Sequence, residues 1–144
     1  MNLSRRQFGA LGVGALAAAA ALGAGARPAA AVEDSLDDAI KAFTGGVEPA
    51  EGGVDITAPE IAENGNTVPV EVEAEGAVSI AVFADGNPNP GVATFHFGKL
   101  AAPRASTRIR LAQTQNVIVV AKLSDGGFAR ASRSVKVTIG GCGG

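Results

Sequence analysis

Val68, Val70 and Val72 alternate with Pro69, Glu71 and Glu73, and the same period of two returns along most of the chain. Val54 and Ile56 flank Asp55, and Val78, Ile80 and Val82 alternate with Ser79 and Ala81. Thr107, Ile109 and Leu111 follow, then the runs 117–123 and 135–139. Successive side chains of a strand point to opposite faces, so an alternating run has one apolar and one polar face. The β-branched content favours the pleated conformation. Asn64-Gly65-Asn66, the stretch 85–91 and Asp125-Gly126-Gly127 supply sharp turns, and Asp125-Gly126 between two strand-like runs is a hairpin signal. About seven or eight short strands with turns between them predict two stacked sheets. Pro69 marks an edge position or a bulge, because it has no N–H to give a ladder.

One helix precedes the strands. Ser35-Leu36-Asp37-Asp38 has the pattern of a capping box, and the two aspartates suit the positive end of a helix. Leu36, Ile40 and Phe43 form one apolar stripe, and Gly45-Gly46 ends it. The helix is expected over about 35–43, with its stripe docked on a sheet or on a partner. The fold class is therefore mainly β: an immunoglobulin-like antiparallel β-sandwich with one short N-terminal helix and a flexible C-terminal arm.

The first 31 residues read as an export signal rather than fold. Ser4-Arg5-Arg6-Gln7-Phe8 is followed by an uncharged Gly/Ala/Leu stretch from Gly9 to Ala26, then Arg27, Pro28 and Ala29-Ala30-Ala31. That is a charged region, an apolar region and a small-residue cleavage site. The pair Arg5-Arg6 before Phe8 resembles a twin-arginine (Tat) signal. The expected division is 1–31 signal, cleaved; 32–139 sandwich; 140–144 arm. Cleavage after Ala31 removes three arginines and no acid. It leaves nine basic against fourteen acidic residues, a net charge of −5. The mature protein is expected in the periplasm, with no membrane segment. The Tat route carries folded proteins, either with a cofactor or with a partner. No cofactor ligands are evident, so a co-exported partner is the expected reason.

The residue counts exclude much chemistry. The chain has one cysteine, one histidine and one methionine, which excludes an internal disulfide and multi-thiolate or multi-histidine metal centres. A mildly acidic balance argues against nucleic acid as a partner. There is no Gly-x-Ser-x-Gly motif and no P-loop, so nothing supports a self-contained hydrolase, and no metal or cofactor is expected. Four local features have a plain structural reading beside a functional one. His96 lies between Phe95 and Phe97 and is expected to face solvent from a strand. Glu71, Glu73 and Glu75 share a face; a solvated strand face is expected, a calcium or basic-partner patch being the alternative. Arg104, Arg108 and Arg110 are expected to be solvated or paired with acids rather than to bind an anion. Asn87-Pro88-Asn89-Pro90 is a rigid turn or a partner-docking loop.

The C-terminus is more specific. A strand-like run ends at Ile139 and Gly140-Gly141-Cys142-Gly143-Gly144 follows. Glycine lacks Cβ, so such a backbone samples most of φ/ψ space and nothing bulky shields the sulfur. Four residues beyond Ile139 span at most about 13–14 Å. Cys142 is not a core cysteine, since no neighbouring side chains could pack around it. The tail carries no Lys, Arg or His to stabilise a thiolate. The residues thus suggest a thiol on a tether that enters clefts in other proteins, which supply the activating pocket. The chain reads as a covalent carrier and not as an enzyme. The competing reading is an exported interaction module whose cysteine forms only an intermolecular disulfide.

The terminal Gly140–Gly144 motif resembles that of the SoxY family, the sulfur carriers of bacterial thiosulfate-oxidising Sox systems. The stretches 57–65, 87–90 and 106–109 and the twin-arginine signal support the resemblance, which covers essentially the whole mature chain. It implies that Cys142 is the covalent attachment point for sulfur intermediates and that Gly140, Gly141, Gly143 and Gly144 form a swinging arm. It implies a SoxZ-like subunit as heterodimer partner, exported on this chain's signal. It also implies transient visits to SoxAX-, SoxB- and sulfur-dehydrogenase-like enzymes. These load thiosulfate, release sulfate and oxidise the remaining sulfur.

Overall fold

The capping residues chosen by the sequence set the first element. In the computed structural model, which describes residues 35–140, helix α1 spans Leu36–Thr44, close to the expected 35–43. Ser35 Oγ accepts from the Asp38 backbone N–H at 3.2 Å and donates to the Asp38 carboxylate at 2.7 Å. Gly45 closes the other end at φ 66°, a left-handed conformation that costs glycine nothing. The expected signal segment 1–31 lies outside the described residues. Among the described residues no helix is long and apolar enough to cross a membrane.

Nine strands follow among the described residues: β1 (Ala50–Glu51), β2 (Asp55–Thr57), β3 (Ile61–Ala62), β4 (Val68–Glu73), β5 (Ala77–Ala84), β6 (Gly91–His96), β7 (Arg104–Ile109), β8 (Gln115–Leu123) and β9 (Phe128–Val137). One sheet runs β1-β9-β8-β5-β6, with β3 also on β9, and the other runs β2-β4-β7. The long pairs are antiparallel. β1 and β3 are short parallel additions at opposite ends of one edge of β9. The Asp125-Gly126 hairpin joins β8 to β9: Gly126 has φ 89°, and Asp125 Oδ1 accepts from the Gly127 N–H at 2.8 Å. Pro69 lies where β2 no longer reaches β4, so only β7 pairs with the strand there.

Two apolar layers result. Between the sheets, Val68, Val70, Val72, Ile80, Val82, Leu111, Val117, Val119 and Val135 are buried together. The other face of the larger sheet is covered by α1, whose Leu36, Ala39, Ile40 and Phe43 pack on Ala81, Phe83, Ile118, Val120 and Phe128. Phe43 meets Phe83 and Phe128 edge-on, at centroid distances of 6.4 and 6.0 Å. The helix stripe therefore docks on this chain's own sheet.

The expected alternation of β5 is corrected at its start. A β-bulge between Ala77 and Ser79 places Val78 outward, 40% exposed, while Ser79 is buried. Ala81 is buried as well, because α1 lies on that face. His96 is exposed at the end of edge strand β6, as its spacing predicts. The Glu71/Glu73 face is paired: Arg104 donates to Glu71 Oε1 at 2.6 Å and approaches Glu73 at 3.9 Å. Its pKa is raised, first by the hydrogen bond and charge of Glu71 and then by the charge of Glu73. Glu75 is exposed. Arg108 and Arg110 are exposed too and form no ion pair among the described residues.

Candidate functional site: the root of the C-terminal arm

β9 is the last strand, and its end fixes where the C-terminal segment leaves the sandwich. On one side the chain is held by the segment around β3. The Lys136 N–H donates to Glu60 O at 2.9 Å and the Thr138 N–H to Ala62 O at 3.1 Å. The Thr138 hydroxyl donates to Glu63 O at 3.1 Å. The Gly65 N–H then donates to Ile139 O at 2.8 Å. On the other side Thr114 Oγ1 accepts from the Val137 N–H at 2.9 Å. Backbone groups beyond a strand end need partners or water, and here they find partners through Ile139.

Gly65 ties the two sides together. Its carbonyl accepts from the Leu111 N–H at 2.8 Å while its own N–H serves Ile139. The connection 110–114 therefore lies against the last described residue, Gly140. A Cβ built on Gly140 would meet the Ala112 carbonyl oxygen well inside 3.0 Å, a separation real side chains essentially never show. Gly140 does not have a positive φ, so the need for glycine here is clearance and not backbone conformation.

The 110–114 connection is in turn held by the turn 85–90. Asn87 Oδ1 accepts from the Ala112 N–H and from Gln115 Nε2, both at 2.9 Å, and Asn87 Nδ2 donates to Arg110 O at 2.8 Å. Gln115 is buried, and its Oε1 accepts from the Gly86 N–H at 2.7 Å. Asp85 bonds the backbone and side chain of Asn116, each at 2.8 Å. Asn87-Pro88-Asn89-Pro90 is thus a rigid turn whose first asparagine faces inward as a brace. Asn87→Ala removes one acceptor and one donor from this network and strips a partner from Gln115. The expected cost is about 1–3 kcal/mol, read as a lower urea midpoint with an unchanged m-value.

Of the residues singled out in the sequence, the structure brings Gly140 and Asn87 to this corner. Arg5, Arg6, Gly141, Cys142, Gly143 and Gly144 lie outside the described residues. The sequence did not single out Thr114, Gly65 or Ala112, although Gly65 sits in a turn it marked. Among the described residues no group of three or more His, Cys, Asp or Glu could hold a metal ion.

The family model for the sulfur oxidation protein SoxY matches residues 40–142. Among solved structures, the sulfur carrier protein SoxY from Chlorobium limicola f thiosulfatophilum is 43% identical, with a TM-score of 0.65; the match covers 72% of this chain and 91% of that one. A superoxide reductase (neelaredoxin) from Ignicoccus hospitalis gives a TM-score of 0.53 over 60% of this chain and 80% of its own, at 19% identity. That is a likeness of fold alone. No curated protein matches. The family match begins inside α1, runs through the sandwich and the arm root, and ends on Cys142: the chain belongs to the SoxY family of sulfur oxidation proteins.

Proposed function

We propose that this chain is a covalent sulfur carrier in thiosulfate oxidation, with Cys142 as the attachment point and Gly140–Gly144 as the arm that presents it. The observation that carries the reading is the pinned exit of β9. The described chain is hydrogen-bonded through Ile139, and Cys142 follows two residues after Gly140. A thiol so placed can lie no more than about 7 Å, Cα to Cα, from a fixed point on the sandwich. Membership in the SoxY family supports the same reading, as does the likeness to the Chlorobium sulfur carrier protein.

The chemistry divides between carrier and enzymes. Loading joins the Cys142 sulfur to the outer sulfur of thiosulfate: the thiol and thiosulfate give Cys–S–S–SO3−, one proton and two electrons, which a haem-bearing SoxAX-like enzyme accepts. Hydrolysis by a SoxB-like enzyme adds water, releases sulfate and one proton, and leaves Cys–S–SH. A sulfur-dehydrogenase-like enzyme then oxidises the outer sulfur. The carrier's own residues supply a nucleophilic sulfur without steric shielding and a short tether, and the enzymes supply the electropositive pocket. A SoxZ-like subunit is the proposed partner, co-exported to the periplasm on the signal bearing Arg5 and Arg6.

Intact-mass analysis of protein purified from cells oxidising thiosulfate tests the reading. Adducts corresponding to added S2O3 and to added sulfur atoms are expected on the peptide containing Cys142. Only the free thiol and a disulfide-linked dimer would replace the carrier with an interaction module.

A further inference from the structure

We infer that Gly140 is a positioning residue: its missing side chain lets the arm root seat on the Ala112 carbonyl, and this seat fixes where the carried sulfur starts. The inference rests on the carrier reading above and gives Gly140 a role different from flexibility. The four motif glycines look alike in sequence, but only a flexible segment benefits from lacking Cβ everywhere. Gly140 sits against backbone, not against the movable end of a side chain. That backbone cannot easily retreat. The Ala112 N–H is held by Asn87 Oδ1 at 2.9 Å, the Leu111 N–H by Gly65 O at 2.8 Å, and Thr114 Oγ1 by the Val137 N–H at 2.9 Å. Gly65 also holds Ile139, so displacing Gly140 pulls on the bond that fixes the preceding residue.

A methyl group at 140 must therefore displace either the connection 110–114 or the arm root. The required movement is about 1 Å, the gap between the built contact and ordinary van der Waals separation. A displacement of that size at a reacting group lowers enzymatic transfer by about a hundredfold at most. Cys142 follows only two residues later, so the displacement moves the origin from which the tether presents the sulfur. Gly141, the next glycine along the chain, is the comparison position for what a methyl does to backbone freedom.

The test uses the full mature chain with its partner subunit, comparing Gly140→Ala with Gly141→Ala. Three quantities are read: kcat/KM for thiosulfate loading by the haem enzyme, the rate of Cys142 alkylation by iodoacetamide, and amide hydrogen exchange at Leu111 and Ala112. Gly140→Ala is expected to lower loading about ten- to hundredfold, more than Gly141→Ala does, with alkylation unaltered. Exchange at Leu111 and Ala112 is expected to rise about tenfold in Gly140→Ala alone, as the seat loosens. Equal loading losses with unchanged exchange would make Gly140 an ordinary tether glycine and overturn the inference. If wild-type protein takes up no thiosulfate, the carrier reading fails instead. The exchange measurement then still decides the seat, because it needs no substrate.

Discussion

On the carrier reading, a Cys142→Ser variant is expected to fold and to join the proposed SoxZ-like subunit as the wild type does, yet to support no thiosulfate-dependent electron transfer in a reconstituted system. The proposed loaded state requires a sulfur–sulfur bond, and a hydroxyl oxygen cannot form it. No other thiol in the chain can substitute, because Cys142 is the only cysteine. The fold should be indifferent to the change. Both apolar layers are assembled from residues 36–137, and the buried side-chain polar groups among the described residues all have partners. The decisive comparison is cytochrome reduction by wild type and variant at equal complex concentration, with circular dichroism and gel filtration as controls. Turnover equal to wild type would remove the sulfur atom from the mechanism and sink the carrier reading.

Strands and turns were legible wherever β-branched residues recurred at every second position. β4 and β5 beyond its bulge follow this pattern, β8 reads as a continuous run of β-branched residues, and Asp125-Gly126 located the last hairpin. The first half of β9 was not legible. Arg130, Ser132, Arg133 and Ser134 offer no apolar alternation, and the segment is a strand because β8 pairs with it from Val117 to Lys122. β1 and β3 are equally hidden: two-residue strands held by parallel partners far along the chain leave no local period. The burial of Ala81 and Phe83 on the second face of β5 depends on where α1 packs. The stripe Leu36, Ile40, Phe43 announced a docking helix but could not name its surface.

The candidate site divides in the same way. The glycine-flanked cysteine is a local signal, readable from the four glycines that surround it in sequence. The seat beneath Gly140 is a long-range signal, made from residues near 65, 87, 112 and 138 that meet only after folding. Asn87 illustrates the difference. Its Pro-flanked neighbourhood predicted rigidity, but the inward orientation that braces Ala112 and Gln115 comes from the turn lying beside the 110–115 connection. Sequence could therefore mark the proposed arm without marking the contacts at Gly140.

Ile80→Ala is expected to cost about 2–5 kcal/mol, the largest stability loss proposed for this chain. Ile80 is fully buried in β5, paired with Phe95 of β6 and Ala121 of β8, and points between the sheets. Strand β5 has little freedom to close the resulting cavity. Its neighbours Ala81 and Phe83 are clamped on the opposite face by α1, so moving the backbone inward would open the helix–sheet layer. The cost should lie toward the cavity-forming end of the range for that reason. Val78→Ala in the same strand is the internal control. The bulge turns Val78 outward, 40% exposed, and its truncation is expected to change stability by no more than about 0.5 kcal/mol. Thermal unfolding should show the contrast as a fall of at least about 8 °C for Ile80→Ala, with Val78→Ala close to wild type. Strict alternation without the bulge would place Val78 on the same face as Ile80, and losses of similar size at both positions would contradict the bulged register.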